Sequence, residues 1–302
     1  MPAPKDDDLR SVQQARDLVT AARKAWESYA HFTQEQVDRI VEAAAAAASG
    51  AAYELAALAV DETAGVVYAA TGNNHGPPAT DTSDAFLAIP LKDGGDYLWK
   101  RQILENDAWM VANFGAGPDS DFGANPIVFE AGGKKLVAGG SKGGDFWVLD
   151  RTTGEPVAPV RKLGPNSASR GGVFVNGAWD GKHLLVACNG GTSTGPGSET
   201  GGVPAVLFAI DPLTVDIVWE RQVAGPVLGF ISVANGVGLF GKDKTLQAFD
   251  TETGDVLFEY PTEGTIATAP SISNGYVVFG SGMSWPSGGA TAGTKYYALK
   301  VP

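Results

Sequence analysis

Two hydrophobic periods divide the chain. From Asp8 to about Ala59 apolar residues recur every three or four positions: Leu9, Val12, Ala15, Leu18, Val19 and Ala22 share one face, and Val37, Ile40, Val41 and Ala44 continue the pattern. This spacing predicts two or three amphipathic helices. Thr33 followed three residues later by Gln36 has the spacing of a capping box, in which hydroxyl and amide satisfy the first free backbone N–H groups. It marks the start of the helix that runs through the alanine tract.

After Val60 the period shortens to two. An apolar strand, an Asp or a neighbour, a turn of the Thr-Gly kind and a further strand often carrying Trp recur as FLAIPLKDGGDYLW, FWVLDRTTGEPV, LFAIDPLTVDIVW, LQAFDTETGDVLF and a shortened YYALKVP. Each copy follows another short strand, such as KKLVAGG, KHLLVACN, GVGLFG or GYVVFG. One repeat therefore supplies three or four antiparallel strands with tight turns, which is the make-up of a propeller blade. Trp99, Trp147 and Trp219 sit where they would pack one blade on the next. The repeats are unevenly spaced, and the excess length lies in Gly/Pro/Ser-rich insertions near 72–84, 105–125, 190–204 and 283–294. Long loops on a rigid scaffold are where function concentrates.

Composition narrows the function. With 302 residues, 44% of them hydrophobic, the chain can bury a sizeable core. Its 40 glycines and 18 prolines crowd the second period, as a turn-rich β structure requires. The net charge of -12 excludes a nucleic-acid groove or an anionic membrane surface. A single cysteine, Cys188, excludes an internal disulfide, a haem-attachment motif and a thiolate metal cluster, and its place on an apolar strand reads as inert core. His31, His75 and His183 show no ligand spacing. The opening MPAPKDDDLRSVQQ has no basic region followed by an apolar stretch, which points to the cytoplasm.

Three segments in order, AVDETAGVVYAATGNN, GPDSDFGANPIVF and GGSKGGDFWVLDRTTGE, together with the ending GYVVFGSGMSW to TKYYALKVP, resemble the second half of polyvinyl alcohol dehydrogenases and related quinoproteins. The resemblance covers about residues 60–302. It implies part of an eight-bladed propeller that holds pyrroloquinoline quinone (PQQ) and calcium, oxidises small or polymeric alcohols and works outside the cytoplasmic membrane. By the same resemblance Asn73 of TGNN is the calcium ligand, in preference to Asn74. Asp121 of SDFGANP is the base that takes the alcohol proton and a further candidate calcium ligand, and Asp119 is the alternative base. Lys142 of GGSKGGDFW contacts the quinone oxygens, and Trp109 falls in the matching loop without an assigned role. Calcium takes hard oxygen donors, a proton acceptor must reach the hydroxyl, and a positive charge stabilises a reduced quinone, so the residue types suit the roles. Taken without the resemblance, each is an ordinary loop residue: a turn-forming Asn, a loop-capping Asp, a solvated Lys.

The first half of such a propeller, with its calcium-binding Glu, stacking Trp and vicinal cysteines, has no counterpart here. The first sixty residues instead resemble the opening helices of coenzyme A-acylating aldehyde dehydrogenases, without their nucleotide fold or catalytic cysteine. The junction near 59–68 reads as a crossover between the two, either a chimera or a natural fusion whose helices cover the open propeller flank. The expected fold is mainly β: a partial, about five-repeat quinoprotein-type propeller over 61–302 behind an α-helical segment over 1–60. Its open flank invites self-association. A binding or scaffold module without cofactor, and a partner of an aldehyde dehydrogenase through the helices, are the alternatives to the enzyme.

Overall fold

The computed structural model describes Lys24, Thr33 and Arg39 and, in the second of two units (Met1–Ala56 and Ala57–Pro302), residues 59–61, 65–91, 96–109, 118–165, 171–190, 204–273, 275–283, 292–293 and 295–300. The helices expected over the first sixty residues lie almost wholly outside the described residues.

The second unit consists of antiparallel sheets, each built from strands consecutive in sequence. Sheet 1 is β1 (Ala59–Asp61), β2 (Val66–Ala70), β3 (Ala85–Pro90) and β4 (Trp99–Gln102). Sheet 2 is β5 (Ile127–Ala131), β6 (Lys134–Gly140), β7 (Asp145–Asp150) and β8 (Arg161–Lys162). Sheet 3 is β9 (Ala178–Trp179), β10 (Leu184–Asn189), β11 (Ala205–Ile210) and β12 (Ile217–Val223). Sheet 4 is β13 (Ser232–Ala234), β14 (Val237–Lys242), β15 (Thr245–Asp250) and β16 (Val256–Pro261). Sheet 5 has three described strands, β17 (Ser271–Ser273), β18 (Tyr276–Ser281) and β19 (Lys295–Lys300). The first strands β1, β5, β9, β13 and β17 are neighbours in that order, so the sheets radiate from a common line as propeller blades do.

The core lies between blades, because alternate residues of the middle strands point to opposite faces. Val66, Tyr68, Phe86 and Ala88 of sheet 1 meet Val137, Trp147 and Leu149 of sheet 2. Leu136, Phe146 and Val148 meet Leu184, Val186 and Phe208 across the next interface. Leu185, Leu207 and Ala209 then meet Phe240 and Phe249, and Leu239, Leu246 and Ala248 meet Val277 and Phe279. Cys188 is buried among these side chains, and burial pushes its thiol up to about 12.

The recurring turn has a shared construction. In DRTTG the Asp150 carboxylate accepts from the N–H groups of Thr152 and Thr153 at 2.8 and 3.1 Å, and Gly154 N–H donates to Asp150 O. Asp250 in DTETG repeats this with Glu252, Thr253 and Gly254. The closing glycine has φ +72° at Gly154 and +78° at Gly254, the left-handed region that favours glycine. On each lies a tryptophan of the preceding blade. Trp99 Nε1 donates to Arg151 O at 2.9 Å and Trp219 Nε1 to Thr251 O at 3.1 Å. A Cβ at Gly154 would stand 2.6 Å from the Trp99 ring, and one at Gly254 2.8 Å from Trp219.

The turn between them, DPLTVD, keeps the Asp211 contacts but has Val215 in the closing position at φ +59°. Backbone N–H donation by Thr214, joined by Leu213, holds the Asp211 carboxyl below its usual range. Among the described residues no indole hydrogen-bonds to this turn. Arg161 reaches over instead, its Nε donating to Val215 O at 2.8 Å and its guanidinium pairing with Asp216. Trp99 and Trp219 therefore do pack blade on blade, and Trp147 does so from a middle strand, against Phe86 and Phe122.

Gly154→Ala is expected to destabilise the protein by about 2–5 kcal/mol, the left-handed backbone contributing about 1–2 kcal/mol and displacement of the Trp99 ring about 1–3 kcal/mol. Urea denaturation followed by tryptophan fluorescence measures this; an unchanged midpoint would show that indole and turn are not coupled.

Candidate functional site

At one end of sheets 1 and 2, loops from three places meet. The β2–β3 connection brings Asn73 and, just before β3, Asp84; the β4–β5 connection brings Asp107 and Asp119–Asp121; the β6–β7 turn brings Lys142. The backbone ties them together. Asp84 N–H donates to Gly72 O at 3.1 Å, Ile103 N–H to Asp84 O at 2.8 Å, and Lys142 N–H to Asp121 O at 2.8 Å. Asn73 and Asn74 are clamped by Trp109: the Asn73 amide donates to Trp109 O at 2.6 Å, and Trp109 N–H donates to Asn74 O at 2.8 Å. A Cβ at Gly72 would stand 3.1 Å from an Asp121 carboxylate oxygen, so glycine allows that close approach.

Lys142 is the centre. Its ammonium lies 2.8 Å from Asp119 Oδ1 and 2.7 Å from Asp121 Oδ1, with only 12% of the side chain exposed. It is not the solvated lysine of an ordinary turn. Burial alone would favour the neutral amine, but Asp121 and Asp119 outweigh it and raise the lysine's pKa, so the ammonium stays charged. The other oxygen of Asp121 accepts from Asn73 N–H at 3.4 Å. Burial, aided by the like charge of Asp119, raises the Asp121 carboxyl above its usual range against the pull of Lys142. Asp119 is fully buried, with a left-handed backbone at φ +52°.

Thus Asn73, Asp119, Asp121 and Lys142, picked out on sequence, come together. Asn74 is turned away, its side-chain oxygen accepting from Thr80. His75 is exposed, and His183 lies beside Asp180 in sheet 3.

Two further residues belong to the cluster. Asp107 is fully buried, and one of its oxygens accepts from Ser120 N–H at 2.9 Å, which fixes the loop carrying Asp119 and Asp121. Asp84 is also fully buried, with φ +49°. Neither Asp84 oxygen, nor the second oxygen of Asp107, has a hydrogen-bond partner among the described residues. Burial, then the charges of Asp107 and Asp121, push the Asp84 carboxyl up to about 7, against weaker opposing effects of Ser83 and Lys142. A non-glycine residue with a left-handed backbone just before an apolar strand is a turn signal, but nothing in the sequence marks Asp84 or Asp107 as buried.

Four buried carboxyls around one ammonium leave negative charge uncompensated, and buried oxygens without partners call for a proton or a cation. Carboxylate and amide oxygens are the donors a hard cation such as calcium takes, so in chemistry and charge the residues fit one. Among the described residues no three acidic, histidine or cysteine side chains are gathered at ligating distance.

Radiating antiparallel sheets with a charged corner between the first two define a β-propeller with a polar site on its loops. Residues 5–171 match the PQQ family, the glucose/ethanol/alcohol dehydrogenase β-propeller domain. The chain belongs to that family. It is 27% identical over 135 residues to a polyvinylalcohol dehydrogenase of a Pseudomonas species, across 42% of this chain and 21% of that protein. A stretch of 68 residues, 22% of this chain, is 46% identical to the bifunctional aldehyde-alcohol dehydrogenase AdhE of Escherichia coli, 8% of that protein. Among solved structures, the quinohemoprotein alcohol dehydrogenase of Comamonas testosteroni superposes with a TM-score of 0.56 at 17% identity, covering 80% of this chain and 48% of that one. A europium-containing methanol dehydrogenase gives 0.54 at 17% identity, covering 74% and 50%. The chain thus spans about a fifth of the curated polyvinylalcohol dehydrogenase and about half of these solved dehydrogenases.

The Asp84 carboxyl is neutral in the folded chain and ionised in the unfolded one between its ordinary range near 3.8 and about 7. Its contribution to stability is complete below that window and is lost as the pH rises through it. With chelator present, Asp84→Asn is expected to flatten the fall in melting temperature between pH 4 and pH 8 and to raise it at pH 8. Thermal denaturation across that range checks this; parallel curves for the two proteins would rule it out.

Proposed function

We propose that this chain carries part of the site of a PQQ-dependent alcohol dehydrogenase acting on a small or polymeric alcohol. The observation that carries the reading is the Lys142 ammonium holding Asp119 and Asp121 together against the Asn73 backbone, in a buried corner of a propeller of the PQQ family. When bound there, PQQ supplies the two-electron acceptor and calcium the Lewis acid that polarises it. Asn73 offers its amide oxygen to the metal and Asp121 a carboxylate oxygen, while Asp84 and Asp107 add the negative charge that draws a cation in. Asp121 accepts the proton of the alcohol hydroxyl, a role favoured by its raised pKa, with Asp119 as the alternative base. Lys142 turns its charge to the quinone oxygens and stabilises the charge of the reduced form. Asp107 acts through the 119–121 loop, fixing where both carboxylates stand.

A second reading is a propeller module without cofactor, in which Lys142 is a structural clip between loops. It is favoured by the Lys142 ammonium being already engaged by both Asp119 and Asp121. Titration of the purified chain with PQQ, with and without calcium, separates the two when absorbance and calorimetric heat are followed alongside alcohol-dependent dye reduction. The enzyme reading expects saturable, calcium-dependent binding, weakened about tenfold or more by Lys142→Ala or Asn73→Ala, roughly what loss of one charge-assisted contact costs. It also expects dye reduction to be abolished by Asp121→Asn or, if Asp119 is the base, by Asp119→Asn. Absence of both binding and turnover leaves the module.

A further inference from the structure

The three blade tryptophans use their indole N–H groups differently. Trp99 and Trp219 donate to backbone carbonyls at 2.9 and 3.1 Å. Trp147 is only 9% exposed, yet among the described residues nothing accepts from its N–H, and the nitrogen is open to the space beside it. Trp147 lines a cavity of about 210 Å³, bounded by residues that follow β4 and by β7 and β8. Ser141 lines the same cavity and is 1% exposed. Its backbone N–H donates to Asp145 O and its carbonyl accepts from Gly144 and Val173, but its hydroxyl has no partner among the described residues. Two buried polar groups left unpaired against one cavity call for an occupant that pairs with them.

The remaining lining limits what that occupant can be. Ile103, Leu104 and Pro118 make one side apolar. At the rim Lys162 Nζ lies 3.2 Å from Asp145 Oδ1 and donates to Gly143 O at 2.6 Å, so both charges there already have partners. A cation would find no carboxylate without a counter-ion. An anion would stand against Ser120, whose N–H donates to the fully buried Asp107, and so beside the excess negative charge of the neighbouring corner. Water would satisfy the two polar groups but leave the apolar side wetted, whereas a molecule with one polar and one apolar end suits both. A hydroxyl also accepts and donates at once, as an indole N–H beside a serine oxygen requires.

We propose that this cavity is a binding site for a short neutral alcohol. The alcohol oxygen accepts from the Trp147 indole and donates to the Ser141 hydroxyl, while the carbon chain lies on Ile103, Leu104 and Pro118. The inference is independent of the quinone reading, because it rests on groups which that reading does not use. Among the described lining residues are neither Asp119, Asp121 nor Lys142, so the site is distinct from the charged corner. It binds without oxidising, since its one carboxylate, Asp145, is already held by Lys162.

Nuclear magnetic resonance of the full chain labelled with 15N-tryptophan, in the absence of PQQ and calcium, tests this. The seven tryptophans give seven indole signals, and that of Trp147 is assigned by its loss in Trp147→Phe. Butan-1-ol is expected to shift the Trp147 signal saturably, with a Kd of about a millimolar as befits so small a ligand, and to leave those of Trp99 and Trp219 in place. Ser141→Ala should weaken binding about three- to tenfold, the loss of one neutral hydrogen bond. Leu104→Phe, which fills the apolar side, should abolish the shift while the other indole signals stay where they were. Butyrate and butylammonium, of the same chain length, should give no saturable shift. An unmoved Trp147 signal, a linear drift shared by all the indoles, saturation by either charged compound, or undiminished binding in both Ser141→Ala and Leu104→Phe would each overturn the proposal. With no quinone present, none of these outcomes bears on the PQQ titration.

Discussion

The middle strands of these antiparallel sheets are apolar on both faces, and a sheet of this kind is stabilised by the sheets packed on it. That constraint organises the second unit. Each blade covers one face of its predecessor, and small residues of the second strand paired opposite large ones of the third give every interface the same relief, with Phe86, Phe146, Leu207 and Leu246 filling successive layers. Because the relief is fixed by register, one residue of slip would turn the buried set to the wrong face. The Asp-led turns that lock the register, through Asp150, Asp211 and Asp250, thereby also set the spacing between blades.

The strands were legible because they depend on local chemistry. Alternation of apolar residues gives the two faces, and DRTTG and DTETG are turns whose geometry follows from a short acidic side chain and a glycine. The tryptophans were legible as packing residues for the same reason. What escaped was set by contacts distant in sequence. Arg161 looks like any basic residue at a strand end, and its reach to Val215 follows from the approach of two blades. Asp84 and Asp107 are unremarkable in TSDAFL and ENDAWM; only the meeting of three loops removes them from water. The resemblance identified Asn73, Asp119, Asp121 and Lys142 as a set, and their proximity here follows from backbone contacts that pin the 119–121 loop between the first two sheets.

The charged corner has an unusual balance. A single lysine is an adequate counter-ion for one carboxylate, and here it serves two while two more lie buried close by. Desolvation makes ionising all four costly, so the corner takes up positive charge, as a proton on Asp84 or as a cation among the oxygens. Whichever it takes, Lys142 is held charged by Asp121 and Asp119.

The joint between sheets 2 and 3 constrains how this sequence can change. An indole lies over Gly154 and over Gly254, where a Cβ would meet the ring at 2.6 or 2.8 Å; at the middle joint Val215 already carries a Cβ and Arg161 replaces the indole. Placing tryptophan at position 161 alone would set the ring against the Val215 side chain. Glycine at position 215 alone would relieve its left-handed backbone but leave the turn without a ring upon it. Either substitution acquires its full benefit only with the other. The two positions are coupled, and the effects of changing both differ from the sum of the effects of changing each.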